Sequence, residues 1–471
     1  MRTVIIGGRT RHEILKICIL IAIILAVTII IINIPGLLWK QTIALLFFSI
    51  KTILLIFYWK YKIAIAFFTI SAFLFSGIID VAHTIEFASF DVILFLISMM
   101  IIIGYLEEEG FFEYLMDVTV TSFGRSARRL LLTIMLFSAL LAPVAGAMVA
   151  ALIATAMILH LAAQYKVDPK PLVLTVAFAS NIGSSATTIG NPVGILIALR
   201  AGLTFLEFIR WAMPSAMISL AVLMVVCLKI FSPTIAELDK SMKEIPAEAR
   251  RELERSKLIR CSIVLVTVII TIMFHHQLEE LLYLERNTLI LGIPIGIAGI
   301  ILAINLEKGR GILEYRVDWS TLIFFALLFA SVGTLKYVGV TKLIANTIIE
   351  FSGGHEINTF FTLSSVSAVL SAFLDNILAV ATFIPVVHHL EYAGFNTYPL
   401  WWALLISSTY FGNMTIVASI ANMVAVGMLE RRGLGRITFI EWMKYGIPIS
   451  MITLLVGILI LYVQMPLMSQ L

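Results

Sequence analysis

Nine stretches of the chain are apolar runs close to the ~20 residues that an α-helix needs to cross hydrocarbon. They are 14–34, 42–58, 63–80, 91–109, 208–231, 260–277, 288–306, 319–338 and 442–463. Four further stretches, 130–164, 172–200, 359–390 and 399–430, are apolar but too long for one plain span. Each carries Gly, Pro, Asn, Ser or Thr near its middle. Such residues at membrane depth suit backbone that turns back or unwinds where it lines a polar cavity. The pattern therefore predicts re-entrant hairpins at 130–164 and 359–390 and helices broken mid-membrane at 172–200 and 399–430. If each broken helix crosses once, the chain makes eleven crossings. With the N-terminus cytoplasmic, the inner segments then hold 26 of the 33 Lys and Arg residues, in line with the positive-inside bias. The other seven are Lys40, Lys51, Arg200, Arg210, Arg286, Lys336 and Lys342. Only Lys51 falls mid-span, where a long side chain can snorkel to the interface. The basic start, Met1–Lys16, followed by an apolar run to Ile34 reads as a retained first span, because a cleaved signal has a shorter apolar core and a small-residue cleavage site.

The pattern also repeats. Gly104, Leu106 and Gly110 match Gly333, Leu335 and Gly339 at an offset of 229, and Ser138, Ala139, Leu141 and Ala150 match Ser367, Ala368, Leu370 and Ala379 at the same offset. Thr187 matches Thr415 at 228, and Thr204-Phe205-x-Glu207 with Pro214 matches Thr438-Phe439-x-Glu441 with Pro448 at 234. Membrane composition alone can supply shared Gly, Ala and Leu; it does not readily supply Thr-Phe-x-Glu followed by Pro. Corresponding spans lie five crossings apart, so the halves are expected upside down to each other. The expected organisation is an extra N-terminal helix (1–40), a first repeat (41–231), a cytoplasmic linker (232–259) and a second, inverted repeat (260–471). In the linker, Glu248/Glu252 and Arg251/Arg255 stand at four-residue spacing, which suits a short helix. The fold class is thus an all-α polytopic membrane protein, with about eleven transmembrane helices plus two re-entrant hairpins in two inverted repeats with broken helices.

Composition agrees: 60% of residues are hydrophobic and 13% charged, against about 45–50% and about 25% in soluble domains. A net charge of +4, spread over short loops, gives no basic surface for nucleic acid. Cys18, Cys227 and Cys261 lie in or beside apolar runs with no paired spacing, so neither a disulfide framework nor a metal site is expected. No nucleophile triad, phosphate loop or metal-spaced cluster is present in the sequence.

The chemistry concentrates in the interrupted stretches. Residues 180–194 read Ser-Asn-Ile-Gly-Ser-Ser-Ala-Thr-Thr-Ile-Gly-Asn-Pro-Val-Gly. Glycines let the backbone leave helical geometry and bring carbonyls or N–H groups to a ligand. Freed carbonyls can coordinate a cation, and the N-terminus of a restarting helix can hold an anion. Pro192 suits the first turn of such a restart. Residues 411–422, Phe-Gly-Asn-Met-Thr-Ile-Val-Ala-Ser-Ile-Ala-Asn, have the same character at the matching place in the second half. The candidate substrate or ion site is therefore Ser180, Asn181, Gly183, Ser185, Thr187 and Asn191 with Gly412, Asn413, Thr415, Ser419 and Asn422. Asp375-Asn376 in the second hairpin joins them. A carboxylate near the bilayer centre costs roughly 2.5–3.5 kcal/mol on insertion scales, so such groups usually face a cavity and act. The bland readings are close helix packing for the Ser, Thr and Gly residues and a satisfied turn for Asp375. Glu107, Glu108 and Glu109 read as a wet helix end, and His160, His388 and His389 as interfacial packing.

These residues resemble the ArsB/NhaD/citrate-transporter-like ion transporter superfamily, which includes arsenite permeases and P proteins. The first broken-helix motif there is close to S-N-I-G-G-T-A-T-L-I-G-D-P-P-N, matched by 180–194. The hairpin motif S-A-F-L-D-N matches 371–376 without change, and a motif near G-G-N-G-T-L-I-G-A-S-A-N appears loosely at 411–422. The resemblance spans about residues 40–465. It implies a scaffold part and a moving transport part carrying both hairpin tips and both breaks. Many relatives have a second D-N at the first tip, where position matching puts Gly146 and Ala147; the motif Asp is Asn191 and the motif Asn is Gly194. The first-half site has thus lost two carboxylates.

The expected function is a secondary active transporter of the plasma membrane, moving an inorganic ion or small charged solute by alternating access. Na⁺ or H⁺ is the expected coupling ion, with no other cofactor, and a homodimer the expected assembly. The partners are the lipid bilayer and the solute. A channel through the same pore is the alternative within transport; saturable counterflow separates the two. An intramembrane enzyme would need convergent catalytic side chains where only one isolated carboxylate stands. A receptor or structural membrane protein would not need duplicated broken helices.

Overall fold

In the computed structural model, residues 3–123, 126–244, 254–304 and 306–468 are described, and among them every regular element is helical. Among the described residues, eight helices are long and apolar enough to cross a membrane. The chain packs as two compact units. The first comprises Met1–Phe90 and Trp319–Thr347; the second comprises Asp91–Asp318 and Ile348–Leu471.

In the first unit, the helices Thr3–Ile32, Trp39–Phe57 and Lys62–Phe75 are followed by a short helix, Val81–Phe87. The span expected over 63–80 stops earlier because the chain turns at Gly77 (φ +65°) and Asp80 caps a new helix by accepting the His83 N–H at 2.8 Å. Trp319–Tyr337 packs against Lys62–Phe75 and Val81–Phe87. Lys62 Nζ donates to Thr321 Oγ1 at 2.9 Å. Gly333 makes the other contact possible, since a Cβ there would lie 2.4 Å from Phe87 Cβ.

Lys51 does not snorkel. It is 1% exposed, its Nζ lies 4.4 Å from the Phe48 ring centroid, and that nitrogen has no hydrogen-bond acceptor. Lys51→Met, similar in length and fully apolar, is expected to raise stability by about 1–3 kcal/mol, the penalty of a buried donor left unpaired. Thermal unfolding of the purified chain in detergent measures this; an unchanged or lower midpoint would show that the amine is stabilising where it is.

The second unit holds both interrupted pairs. The first hairpin is Ala127–Ala145 and Ala147–Tyr165, and the first broken helix is Lys170–Ser184 and Pro192–Ala201. The second hairpin is Glu356–Phe373 and Asn376–Tyr392, and the second broken helix is Tyr398–Phe411 and Ile420–Arg431. Met213–Ile230 and Phe439–Met468 follow the two sets. The repeat extends beyond the matched residues. Phe90–Glu108, Phe111–Phe123 and the hairpin starting at Ala127 recur 229 residues on as Trp319–Tyr337, Val340–Ser352 and the hairpin starting at Glu356. Phe111–Phe123 and Val340–Ser352 escape the apolar-run reading because they are short and amphipathic. The packing units cut across the repeats: Trp319–Tyr337 belongs to the first unit, while nearly all of its counterpart Phe90–Glu108 belongs to the second.

Ser232–Glu244 opens the hydrophilic linker, and the helix expected through Glu248–Glu252 lies outside the described residues. Asp239 accepts the Ala127 N–H at 3.2 Å at the start of the first hairpin; that N–H, with Lys243, holds its carboxyl below the usual range. Glu107, Glu108 and Glu109 are not simply a wet end. Arg316 pairs with Glu107 at 3.2 Å and with Glu108 at 3.6 Å, and Glu109 pairs with Lys308 and, at 3.7 Å, with Lys257.

Candidate functional site

The two hairpin tips make the same turn by different chemistry. The first turns at Gly146 with φ +88°, a region that side-chain-bearing residues avoid. The second turns at Leu374-Asp375 with Asp375 at φ −58°. There the carboxylate accepts the Ile377 N–H at 2.9 Å and caps the returning arm. Asp375 is 2% exposed. It is the one acidic or basic side chain in residues 143–149, 185–191, 371–377 and 412–419.

Each tip is clasped to the break of its own repeat by the same two bonds. At the first, Thr187 Oγ1 donates to Pro143 O and the Ala147 N–H donates to Gly190 O at 2.9 Å. At the second, Thr415 Oγ1 donates to Ala372 O at 2.6 Å and the Asn376 N–H to Ala418 O at 3.1 Å. Pro143 and Ala372, like Ala147 and Asn376, stand 229 residues apart. Asn376 is satisfied with its amide nitrogen toward Ser371 Oγ at 2.8 Å, Ser408 O at 3.2 Å and Ala418 O at 2.6 Å. Its amide lies directly on Gly412, where a Cβ would come within 2.3 Å of it.

The breaks differ in detail. Asn191 caps the restarting helix, accepting the Gly194 N–H at 2.7 Å and donating to Ser184 Oγ at 2.8 Å. Pro192 occupies the first turn, as its fixed φ favours. The second break is spanned by Asn422, whose Nδ2 donates to Gly412 O and Thr415 O, both at 2.9 Å.

Asn181 joins the halves. Its Nδ2 donates to Asn413 Oδ1 at 2.6 Å and Asn422 Oδ1 at 2.9 Å, and its Oδ1 accepts from Ser419 Oγ at 2.8 Å. The structure thus gathers Asn181, Asn413, Ser419 and Asn422 into one amide–hydroxyl cluster. Asn376, Gly412 and Thr415 form the second clasp, with Asp375 next to Asn376 at the tip and its carboxylate on the Ile377 N–H, and Gly146, Ala147, Thr187 and Asn191 lie at the first. It does not bring Ser180 in; that hydroxyl bonds back to Ala177 O at 2.9 Å. Ser185 also bonds to its own helix at Ile182 O, 2.8 Å, and lies 3.4 Å from Tyr410 Oη. Gly183 serves close packing: a Cβ there would be 2.1 Å from Ala139 O.

The Thr-Phe-x-Glu match has a structural counterpart that the sequence did not disclose. Each Thr–Glu pair forms a reciprocal helix cap, Thr204 with Glu207 and Thr438 with Glu441. Each Glu then reaches the start of the other repeat's broken helix. Tyr398 Oη donates to Glu207 at 2.7 Å, and Lys170 Nζ lies 3.7 Å from Glu441. Lys170 and Tyr398 occupy equivalent positions, so the two tethers cross symmetrically.

The family profile described as citrate transporter matches residues 52–347 and 331–469. An uncharacterized transporter of Mycobacterium tuberculosis is 31% identical over 378 residues, covering 79% of this chain and 86% of that protein. A 46 kDa membrane protein of Mycobacterium leprae is 32% identical over 384 residues, covering 80% and 87%. The P protein of Homo sapiens is 25% identical over 465 residues, covering 81% of this chain but 54% of that protein. The crystal structure of the Alcanivorax borkumensis YdaH transporter, described as having an unusual topology, superposes with a TM-score of 0.57. It covers 84% of this chain and 88% of that one at 15% identity, a likeness of fold alone.

Proposed function

Because the chain belongs to the citrate transporter family, whose members are transporters and not enzymes, we propose that it is a secondary active transporter that moves an inorganic ion or small charged solute by alternating access. In this reading Na⁺ or H⁺ couples at Asp375. The observation that carries it is the second clasp: a buried carboxylate at a hairpin tip whose neighbour Asn376 is bonded to an unwound break. Unwound backbone offers carbonyl oxygens at membrane depth, and the carboxylate supplies the charge that a cation or proton needs. The first clasp has the same backbone bonds and no ionisable side chain, which favours coupling through the second half.

The repeats 41–231 and 260–471 are inverted about the membrane plane, with 1–40 and 232–259 as additions. Two crossed tethers support the inversion, since Lys170 and Glu441 both flank segments that the positive-inside count puts on the cytoplasmic face. The N-terminus is cytoplasmic, the membrane is the plasma membrane, and the assembly is a homodimer.

Reconstitution in proteoliposomes tests the function. The family description makes citrate and related carboxylates the first solutes to try, followed by arsenite and Na⁺. Counterflow that saturates and responds to an imposed Na⁺ or pH gradient is the expected result. Asp375→Asn is expected to slow coupled uptake about tenfold or more, equivalent to ~1.4 kcal/mol or more in the barrier. If it left both the rate and its ion dependence unchanged, the coupling role would be wrong.

A further inference from the structure

The two Thr-Phe-x-Glu segments set Phe208 of the first repeat against Trp442 of the second, and Ala212 against Gly446. Phe208–Ala212 forms a π-helical turn, and the Phe208 ring packs edge-on to Trp402 at 4.9 Å. Trp442 lies within a continuous α-helix, is 0% exposed, and does something a phenylalanine cannot. Its indole N–H donates to the backbone oxygen of Asn413 in the second break at 3.0 Å. Its ring stands edge-to-face on Phe178 at 5.2 Å. One turn on, Gly446 lets the same helix touch the same loop, since a Cβ there would lie 2.6 Å from Met414 O and 2.7 Å from Asn413 O.

Asn413 is therefore held at three atoms. Its backbone oxygen accepts from Trp442, its Nδ2 donates to Phe178 O at 3.3 Å, and its Oδ1 accepts from Asn181. Its counterpart in the first break, Ser185, has no indole partner and bonds mainly to its own helix. The added donor stands in the half that also has the added carboxylate.

We propose that Trp442 is a positioning residue for the second break. Its N–H fixes the direction of the Asn413 carbonyl and so holds residues 412–419 in the shape that receives the coupling cation beside Asp375. This rests on the reading above that a cation couples there. A buried carbonyl needs a partner, and an unwound loop that is already ordered binds without the entropic cost of ordering itself. Removing the indole donor leaves the carbonyl unpaired and the loop free to relax, which weakens cation binding while leaving the carboxylate in place.

Trp442→Phe keeps the ring on Phe178 and loses the donor, and phenylalanine already serves at the equivalent place in the first repeat. Wild type, Trp442→Phe and Asp375→Asn are purified, and thermal unfolding is followed as Na⁺ replaces choline at constant ionic strength, and separately against pH without Na⁺. A cation that binds only the native state raises the midpoint. Asp239, far from the site in sequence, has its carboxyl held below the usual range, so it also lowers the midpoint of every variant as pH falls. A pH response therefore means a shift beyond that common background. On that measure, and in Na⁺, the wild type is expected to respond and Asp375→Asn not to. Trp442→Phe is expected to respond with its half-saturating cation concentration raised about tenfold, or ~1.4 kcal/mol. A purely structural Trp442 would lower the midpoint at every concentration and keep half-saturation within about twofold of wild type. That result, with Asp375→Asn unresponsive, overturns the proposal and leaves the cation reading standing. A wild type that answers to neither cation, or an Asp375→Asn that answers like wild type, removes the cation reading and the role of Trp442 with it.

Discussion

Asn181→Ala is expected to destabilise the protein by about 3–6 kcal/mol, at about 1–2 kcal/mol for each of three buried groups left without a partner. The side chain is 2% exposed and makes three hydrogen bonds, to Asn413, Asn422 and Ser419. No water at the surface can replace them. Asn413 and Asn422 are also the residues that shape the second break, so the loss reaches the clasp around Asn376. Asn181→Asp is expected to be worse, since it sets a carboxylate against the Asn413 and Asn422 amide oxygens that now accept from the Asn181 nitrogen. Thermal unfolding in detergent gives the ranking wild type, Asn181→Ala, Asn181→Asp. A loss below about 1 kcal/mol for the alanine variant would mean that the three partners find each other without Asn181, and that the bridge between the broken helices is dispensable.

Gly183→Ala is expected to cost about 3 kcal/mol, the upper end of overpacking penalties, and to displace the first hairpin. The added carbon would lie 2.1 Å from Ala139 O, 2.6 Å from its Cα and 2.7 Å from its C. All three are backbone atoms, so no side chain can swing aside. The two helices are also fastened on both sides of this contact, by Ser138 Oγ to Val176 O at 3.1 Å and by Thr187 Oγ1 to Pro143 O. Moving the arm therefore strains the first clasp. Gly427→Ala is the matched control. Gly427 lies inside Ile420–Arg431 with open space around its missing side chain. Alanine there is expected to be neutral or to stabilise by up to about 1 kcal/mol through helix propensity. Equal midpoints for the two variants would show that the contact between Gly183 and Ala139 is loose.

Much of the site was legible because interrupted helices must be written locally. A run such as Gly183–Gly194 holds glycines, hydroxyls, an amide and a proline where an unbroken span would hold Leu, Ile and Val. The structure ends one helix at Ser184 and starts the next at Pro192. The family likeness first carried by 180–194, 371–376 and 411–422 holds: the citrate transporter profile matches residues 52–347 and 331–469. Trp442 carried no such signal. A tryptophan in an apolar helix looks like any other core residue until the atom that its N–H meets is known. Lys51 misled in the opposite way: its depth along the helix was readable, but whether its side chain had a route to the interface depended on what packs over it.

Sequence alone determined where the chain is apolar enough to enter a membrane, where it must bend or unwind, and that it does so twice at a spacing near 229 residues. Those are properties of short windows, because hydrocarbon solvation and backbone breaking act residue by residue. Tertiary structure alone decided which of the polar residues meet. Asn181 finds Asn413 across 232 residues and Asn422 across 241, and Glu207 finds Tyr398 across 191. Such pairings are fixed by how whole helices pack, and a buried amide reads the same in sequence whichever partner satisfies it.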